Sequence, residues 1–195
     1  MAIIQDAATG KTARVNLDNT LSVHSIAISE ANRATDLGQS YNINSGLITL
    51  TNAAESGVIY FKSNENVNIH IDSIIVILGN TTGGVTTDST RVRIYANPTT
   101  GTLISGAVAA DIIQNRNLGA TSALAADVYK GATGNTITNG DNLLESLLSP
   151  GNRVAFGLDL TLPKGKSIGV SLEPNDSNTS MKCMVAFNCH IEPIL

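Results

Sequence analysis

Histidine, cysteine and clustered carboxylates are the side chains most able to do chemistry, and the first two are scarce here. The three histidines are His24, His70 and His190. Each falls on the polar side of an alternating run, as in Val67-Asn-Ile-His-Ile-Asp72, where His70 and Asp72 share a face. A metal centre needs several ligands converging from fixed spacings. No second histidine or suitably placed cysteine accompanies any of the three along the chain. They read as solvated imidazoles, His70 beside its acid. Cys189 and His190 are adjacent in a strand and so point to opposite faces, which rules them out as a nucleophile–base pair on their own.

The two cysteines, Cys183 and Cys189, lie in one strand. At roughly 3.3 Å per residue they stand about 20 Å apart, far beyond disulfide reach. They read as buried thiols used as small apolar groups. Asp88, Asp141 and Asp176 sit in turns, where Asp caps backbone amides. Asp111 and Asp127 have no obvious partner. A carboxylate pair for glycoside hydrolysis is a spatial arrangement that spacing neither supports nor removes. The oxygens of Asn175-Asp-Ser-Asn178 suit calcium, but hairpin chemistry accounts for the same residues. Gly83-Gly84 and Gly131-Ala-Thr-Gly134 lack the Lys-Ser/Thr of a phosphate loop, and no Gly-x-Ser-x-Gly occurs. No catalytic residue, metal ligand or cofactor is predicted, and no enzyme. Tyr41, Tyr95 and Tyr129 are the candidate exposed rings for a glycan site, yet nothing clusters them, and the chain has no Trp.

The elements that would carry these residues are strands. Val67 to Gly79 alternates first and is then continuously apolar from Ile74 to Leu78. Its β-branched residues favour a pleated strand, half-buried and then buried on both faces. Met181, Cys183, Val185, Phe187, Cys189 and Ile191 hold period two without a break. Strands are also read at 47–50, 57–62, 90–95, 102–105, 153–160 and 166–172. Asn142 to Leu148 reads as a short helix ended at Ser149-Pro-Gly151. Residues 106–149 are the least β-like and read as an excursion with a subunit or ligand contact. About eight strands with turn-rich loops predict an all-β antiparallel sandwich, with one long crossover suiting a jelly roll. The predicted core is Ile69, Ile71, Ile75, Ile77, Val92, Ile94, Val185 and Phe187.

Residues 1–45 read as an arm and linker, and 46–195 as the sandwich. Residues 1–28 hold short alternating segments around Asp6-Ala-Ala-Thr-Gly10 and Asp18-Asn19, too few to build a core. Within the polar stretch 29–45, Ser29 is placed to cap a single helical turn. Hydrophobic residues make up 42% of the chain and charged ones only 14%, so Asn, Thr, Ser and Gly must cover much of the surface. The net charge of -4 and the lack of a Lys/Arg cluster argue against nucleic acid as partner. No run is long enough for a membrane span. The opening lacks the basic and apolar regions of a secretory signal, which predicts synthesis and folding in a cytoplasm.

Four segments carry a resemblance: Ile4 to Val23, Asn97-Pro-Thr-Thr-Gly-Thr-Leu-Ile-Ser105, Val128-Tyr-Lys-Gly-Ala-Thr-Gly134 and Leu162-Pro-Lys-Gly-Lys-Ser-Ile-Gly169. Together, about a third of the chain resembles structural proteins of tailed-bacteriophage virions. The resemblance implies a virion component, such as a head decoration or cement protein, or a fibre or neck component. It implies a homotrimeric jelly roll with an extended arm, assembled in the host cytoplasm on other virion proteins such as the major capsid protein. It brings no active-site residue. A carbohydrate- or receptor-binding module of a fibre or tail is the alternative.

Overall fold

A computed structural model describes residues 3–5, 12–14, 29–51, 54–82, 89–98, 108–109, 112–174 and 180–192. The first described elements are β1 (Ile3–Gln5) and β2 (Thr12–Arg14), an antiparallel pair that among the described residues joins neither larger sheet. Helix α1 (Glu30–Asp36) follows, its first turn capped by the Ser29 hydroxyl, which accepts from the Asn32 N–H. Then come β3 (Ser40–Asn44), β4 (Ile48–Leu50), β5 (Ser56–Ser63), β6 (Ile69–Thr82) and β7 (Thr90–Ala96). The excursion carries β8 (Val108–Ala109), β9 (Ile112–Asn115) and β10 (Ala126–Lys130). The chain closes with β11 (Asp141–Leu148), β12 (Arg153–Phe156), β13 (Leu160–Leu162), β14 (Ser167–Pro174) and β15 (Ser180–Ile191).

Two antiparallel sheets pack face to face. One has the order β11-β7-β14-β5-β10-β8; the other is β12-β6-β15-β3-β9, with β13 also on β6 and β4 also on β15. The sequence β3, β5, β6, β7, β11, β12/β13, β14, β15 switches sheets at every step except β7 to β11. That is the strand order of a jelly roll, two Greek keys wound together. The excursion between β7 and β11 adds β9 beside β3 and β10 beside β5, so it extends both sheets at the same end.

The pairing of β6 with β15 decides which residues face the core. All six alternating positions of β15 are buried. Strand β6 stays in phase with them only by inserting a residue twice. Cys189 pairs with Ile71 but Asn188 pairs with Ser73, so Asp72 is an extra residue, a β-bulge. Before it, Ile69 and Ile71 point inward; after it, Ile74, Val76 and Leu78 do. This corrects the predicted core. Ile75 and Ile77 lie on the outer face and are only partly buried, because the bulge inverts the phase of the strand. The register slips again between Met181 and Cys183, where Gly79 lies against the Lys182 carbonyl; a Cβ there would stand 3.0 Å from that oxygen.

Three further readings are corrected. Asn142–Leu148 is not a helix but lies within strand β11, paired with β7 from Asp141↔Ala96 to Leu148↔Thr90. A bulge at Leu143 disguises its alternation: Leu144 and Leu148 face inward, Leu143 and Leu147 do not. Residues 40–44, read as linker, are β3, held between β15 and β9. Residues 153–160 are two strands, broken at Gly157–Asp159 opposite the bulge in β6. The strand read at 102–105 lies outside the described residues.

The core joins both sheets: Phe61 of β5 meets Phe187 of β15 with ring centroids 5.7 Å apart, and both rings are fully buried. Phe187→Ala removes a ring from a closed core and should cost about 3–5 kcal/mol in urea unfolding. Retention of wild-type stability would overturn this packing. Both cysteines are buried free thiols. Burial pushes Cys183 up to about 12, and burial followed by the field of Asp72 pushes Cys189 up as well. Reaction needs the thiolate, so neither should react with a disulfide reagent at pH 8 until the chain is unfolded. Rapid labelling of the native chain would contradict that.

Candidate functional site

The two sheets carry unlike clusters on their outer faces. On the β6 side, His70 and His190 are directly opposite across the strand pair, and their rings stack at 5.2 Å with 19° between planes. The bulge places Asp72 beside β15, with Oδ1 2.9 Å from His190 Nδ1. That pair is close in distance but lacks hydrogen-bond geometry: His190 has no hydrogen-bond partner at either ring nitrogen among the described residues. Across β6, Thr161 of β13 places its hydroxyl 3.4 Å from His70 Nδ1. Glu30, in the first turn of α1, brings Oε1 to 3.9 Å from His70 Nε2 and 3.8 Å from His190 Nε2. Glu192 Oε2 lies 3.9 Å from His70 Nε2. Two imidazoles and three carboxylates are therefore drawn together from α1, β6, β15 and the residue that follows it. Among the described residues no group of three or more such side chains is placed to hold a metal ion. Beyond the cluster the same face continues as neutral amides and hydroxyls: Asn188 donates to Ser73 and accepts from Asn42.

On the opposite sheet the outer face is charged. Arg91 and Arg93 alternate with the inward Val92 and Ile94 on β7. Register sets Glu145 of β11 beside Arg93 and Glu173 of β14 beside Arg91. Arg91 bridges Glu145 and Glu173 at 3.1 Å each. Arg93 bonds Glu145 at 3.2 Å, Glu173 at 3.0 Å and also Glu55. Tyr95 donates to Glu55 at 2.7 Å, and Ser171 donates to the same oxygen. Burial alone would lower the pKa of Arg93; the Glu145 hydrogen bond and the field of Glu55 outweigh it and leave it raised. Burial, then the bond to Glu55, raises Tyr95. The cluster ties three neighbouring strands together, and its charges face one another and leave no reactive group uncommitted.

Of the other predicted residues, His24, Asp88, Asp111, Asn175, Asp176 and Asn178 lie outside the described residues, as do Gly83 and Gly84. Asp127 and Asp141 lie on β10 and β11, apart from both clusters. The tyrosines do not form a binding face. Tyr41, read as exposed, is in the core because β3 is a sheet strand; Tyr95 belongs to the Glu55 network; Tyr129 packs on Tyr60 at 6.2 Å. An apolar recess of about 330 Å³ opens at one end of the sandwich, lined by Ile71, Leu143, Leu160 and Ile168 among others. Among the described residues, no helix is long and apolar enough to cross a membrane. No protein-family model and no curated protein matches the chain.

Sequence spacing missed the histidine cluster because Glu30, the His70/Asp72 pair and the His190/Glu192 pair lie 40 to 162 positions apart and meet only through strand pairing and the placement of α1. It missed the arginine network for the same reason, although the alternation Thr90-Arg-Val-Arg-Ile-Tyr95 already placed both arginines on one outer face. Arg93 is 16% exposed and Arg91 41%. Arg93→Ala leaves Glu55 without a guanidinium and Glu145 and Glu173 sharing Arg91 alone, and should cost about 1–3 kcal/mol. Arg91→Ala, more exposed, should cost under about 1 kcal/mol. Equal urea midpoints for the two variants would refute this ranking.

Proposed function

We propose that the chain is a structural protein of a bacteriophage virion, a capsid decoration or cement protein that works by assembling with copies of itself and with other virion proteins. The virion part of this reading is supported by the four resembling segments. The assembly part is supported chiefly by the free edge at β11. This strand ends its sheet among the described residues, so one row of its backbone N–H and C=O groups has no strand beside it. Leu147 is 63% exposed and Leu143 47% along that edge. Long apolar edges are pairing templates that folded chains normally cover. The β1–β2 pair, which among the described residues joins neither sandwich sheet, is a second segment suited to another chain. A surface low in charge is consistent with both.

Closed symmetry is the economical way to cover such surfaces, and the resemblance points to a homotrimer. Light scattering of the full chain at micromolar concentration should give the trimer mass. Leu143→Asp with Leu147→Asp should shift it toward monomer while circular dichroism stays β-rich. A chain lacking residues 1–28 should keep the sandwich and lose attachment to particles. Antibody against the chain should label virions under the electron microscope. A monodisperse wild-type monomer overturns self-assembly, and unlabelled particles overturn the virion assignment.

A further inference from the structure

We propose that the apolar recess at the end of the sandwich binds an anionic amphiphile of the medium-chain carboxylate class, its alkyl chain between the sheets and its head at Lys166. The proposal stands apart from the assembly reading, because a single chain offers the whole recess. Its first support is composition. Ile71 of β6 and Leu160 of β13 come from one sheet, Leu143 of β11 and Ile168 of β14 from the other. Ile71 and Ile168 are buried, Leu160 is partly buried and Leu143 is exposed, so the apolar lining runs from the core to the surface. Lys166 is the only charged residue of the lining among the described residues. A recess of about 330 Å³ falls within the size range of small-ligand sites, which are mostly apolar with a few polar groups that fix orientation.

The second support is the backbone, since each sheet carries a bulge beside the recess. In β11 the register slips between Asn142 and Leu144, which makes Leu143 the extra residue. In β6 the extra residue is Asp72, next to Ile71. Bulges are frequent beside binding sites, where they re-aim a side chain. The bulge in β11 takes Leu143 out of the alternation that seats Leu144 and Leu148 in the core, and Leu143 lines the recess instead. The bulge in β6 lies opposite the break at Gly157–Asp159, after which β13 begins with Leu160 paired to Ile71. Leu143 and Leu160 thus keep apolar surface in water that an alkyl chain would cover, a gain in proportion to the area removed from water.

The polar groups of the lining select the head. Ser167 is committed, its hydroxyl donating to the Pro98 carbonyl at 3.0 Å. The Thr161 hydroxyl lies 3.4 Å from His70 Nδ1. The neighbouring Lys164 donates to Asn66 at 2.7 Å. Lys166 is exposed, and no acid lines the recess with it among the described residues. Asn97, also in the lining, adds an amide donor. A cationic head would be repelled there, and a neutral one would leave the ammonium unanswered. A water takes up about 30 Å³ in the liquid and a methylene about the same, so the recess has room for a chain of about ten carbons.

The test is calorimetric titration of the full chain with sodium decanoate below its micelle-forming concentration, beside decanol and decyltrimethylammonium. Decanoate should bind saturably, one equivalent per chain, and more tightly than either comparison. Amide resonances of Ile71, Leu160 and Ile168 should shift on binding. Lys166→Glu, at an exposed position, should weaken decanoate about fivefold or more and leave the weaker binding of decanol unchanged. Ala96→Leu adds bulk to the lining and should abolish binding of both. Should that variant fail to fold, Lys166→Glu decides the matter. Five results would each overturn the proposal: equal affinity for the three amphiphiles, unchanged decanoate affinity in Lys166→Glu, shifts confined to other parts of the molecule, binding to anionic phospholipid vesicles without binding to decanoate, and no saturable binding, as when only a protein side chain fits the recess.

Discussion

The register between β6 and β15 is the constraint on which the rest depends. Strand β15 runs in one phase for its whole length, with Met181, Cys183, Val185, Phe187, Cys189 and Ile191 all in the core. Strand β6 matches it on one side and β12 and β13 on the other, and manages both by inserting Asp72. A strand without the insertion would turn either Ile69 and Ile71 or Ile74, Val76 and Leu78 toward solvent, because a one-residue slip exchanges the two faces. The bulge is therefore a condition of the core. It breaks the neighbouring strand as well, since β12 ends at Phe156 and β13 begins at Leu160 across from it.

The same irregularity shapes the outer surface. Regular pairing would leave His70 and Asp72 two apart on one strand, a pair looking out to water. The bulge turns Asp72 to the neighbouring strand and His190, and α1 lies above with Glu30. The opposite sheet meets the need to satisfy charge in another way. Its arginines and glutamates come from regularly paired positions on β7, β11 and β14, so each guanidinium finds carboxylates on both sides. One face is a closed ionic lattice. The other gathers two imidazoles and three carboxylates, with neutral amides and hydroxyls beyond them.

Jelly-roll winding places the long excursion as well. Strands β7 and β11 are neighbours in one sheet, yet the chain between them travels to the far end of the sandwich and adds β10 to one sheet and β9 to the other. This covers β3 and β5, which would otherwise be edges. Among the described residues no strand lies on the outer side of β11, where Leu143 and Leu147 are exposed. An architecture that guards one end of both sheets and leaves an apolar strand at the other is suited to pairing there with another chain.

Local pattern determined a good deal by itself. The unbroken period of β15, the alternation of Thr90-Arg-Val-Arg-Ile-Tyr95 and the turn-rich loops were enough for an antiparallel sandwich, because period two is a property of single strands. Buried thiols at Cys183 and Cys189 followed from the same period. What needed the third dimension was everything set by pairing. Ile75 and Ile77 carry the same residue type as Ile69 and Ile71, and only the bulge sends them outward. Leu143 to Leu148 has the composition of a helix, and only β7 beside it holds it extended. Tyr41 and its neighbours look polar enough for a linker until β15 and β9 take them into a sheet. The histidine cluster was hidden most completely, because His70 and His190 lie 120 positions apart in sequence and meet only through the cross-strand register. Sequence spacing records which side of its own strand a residue faces; which residue faces it from the next strand is decided by register, and register is a tertiary property.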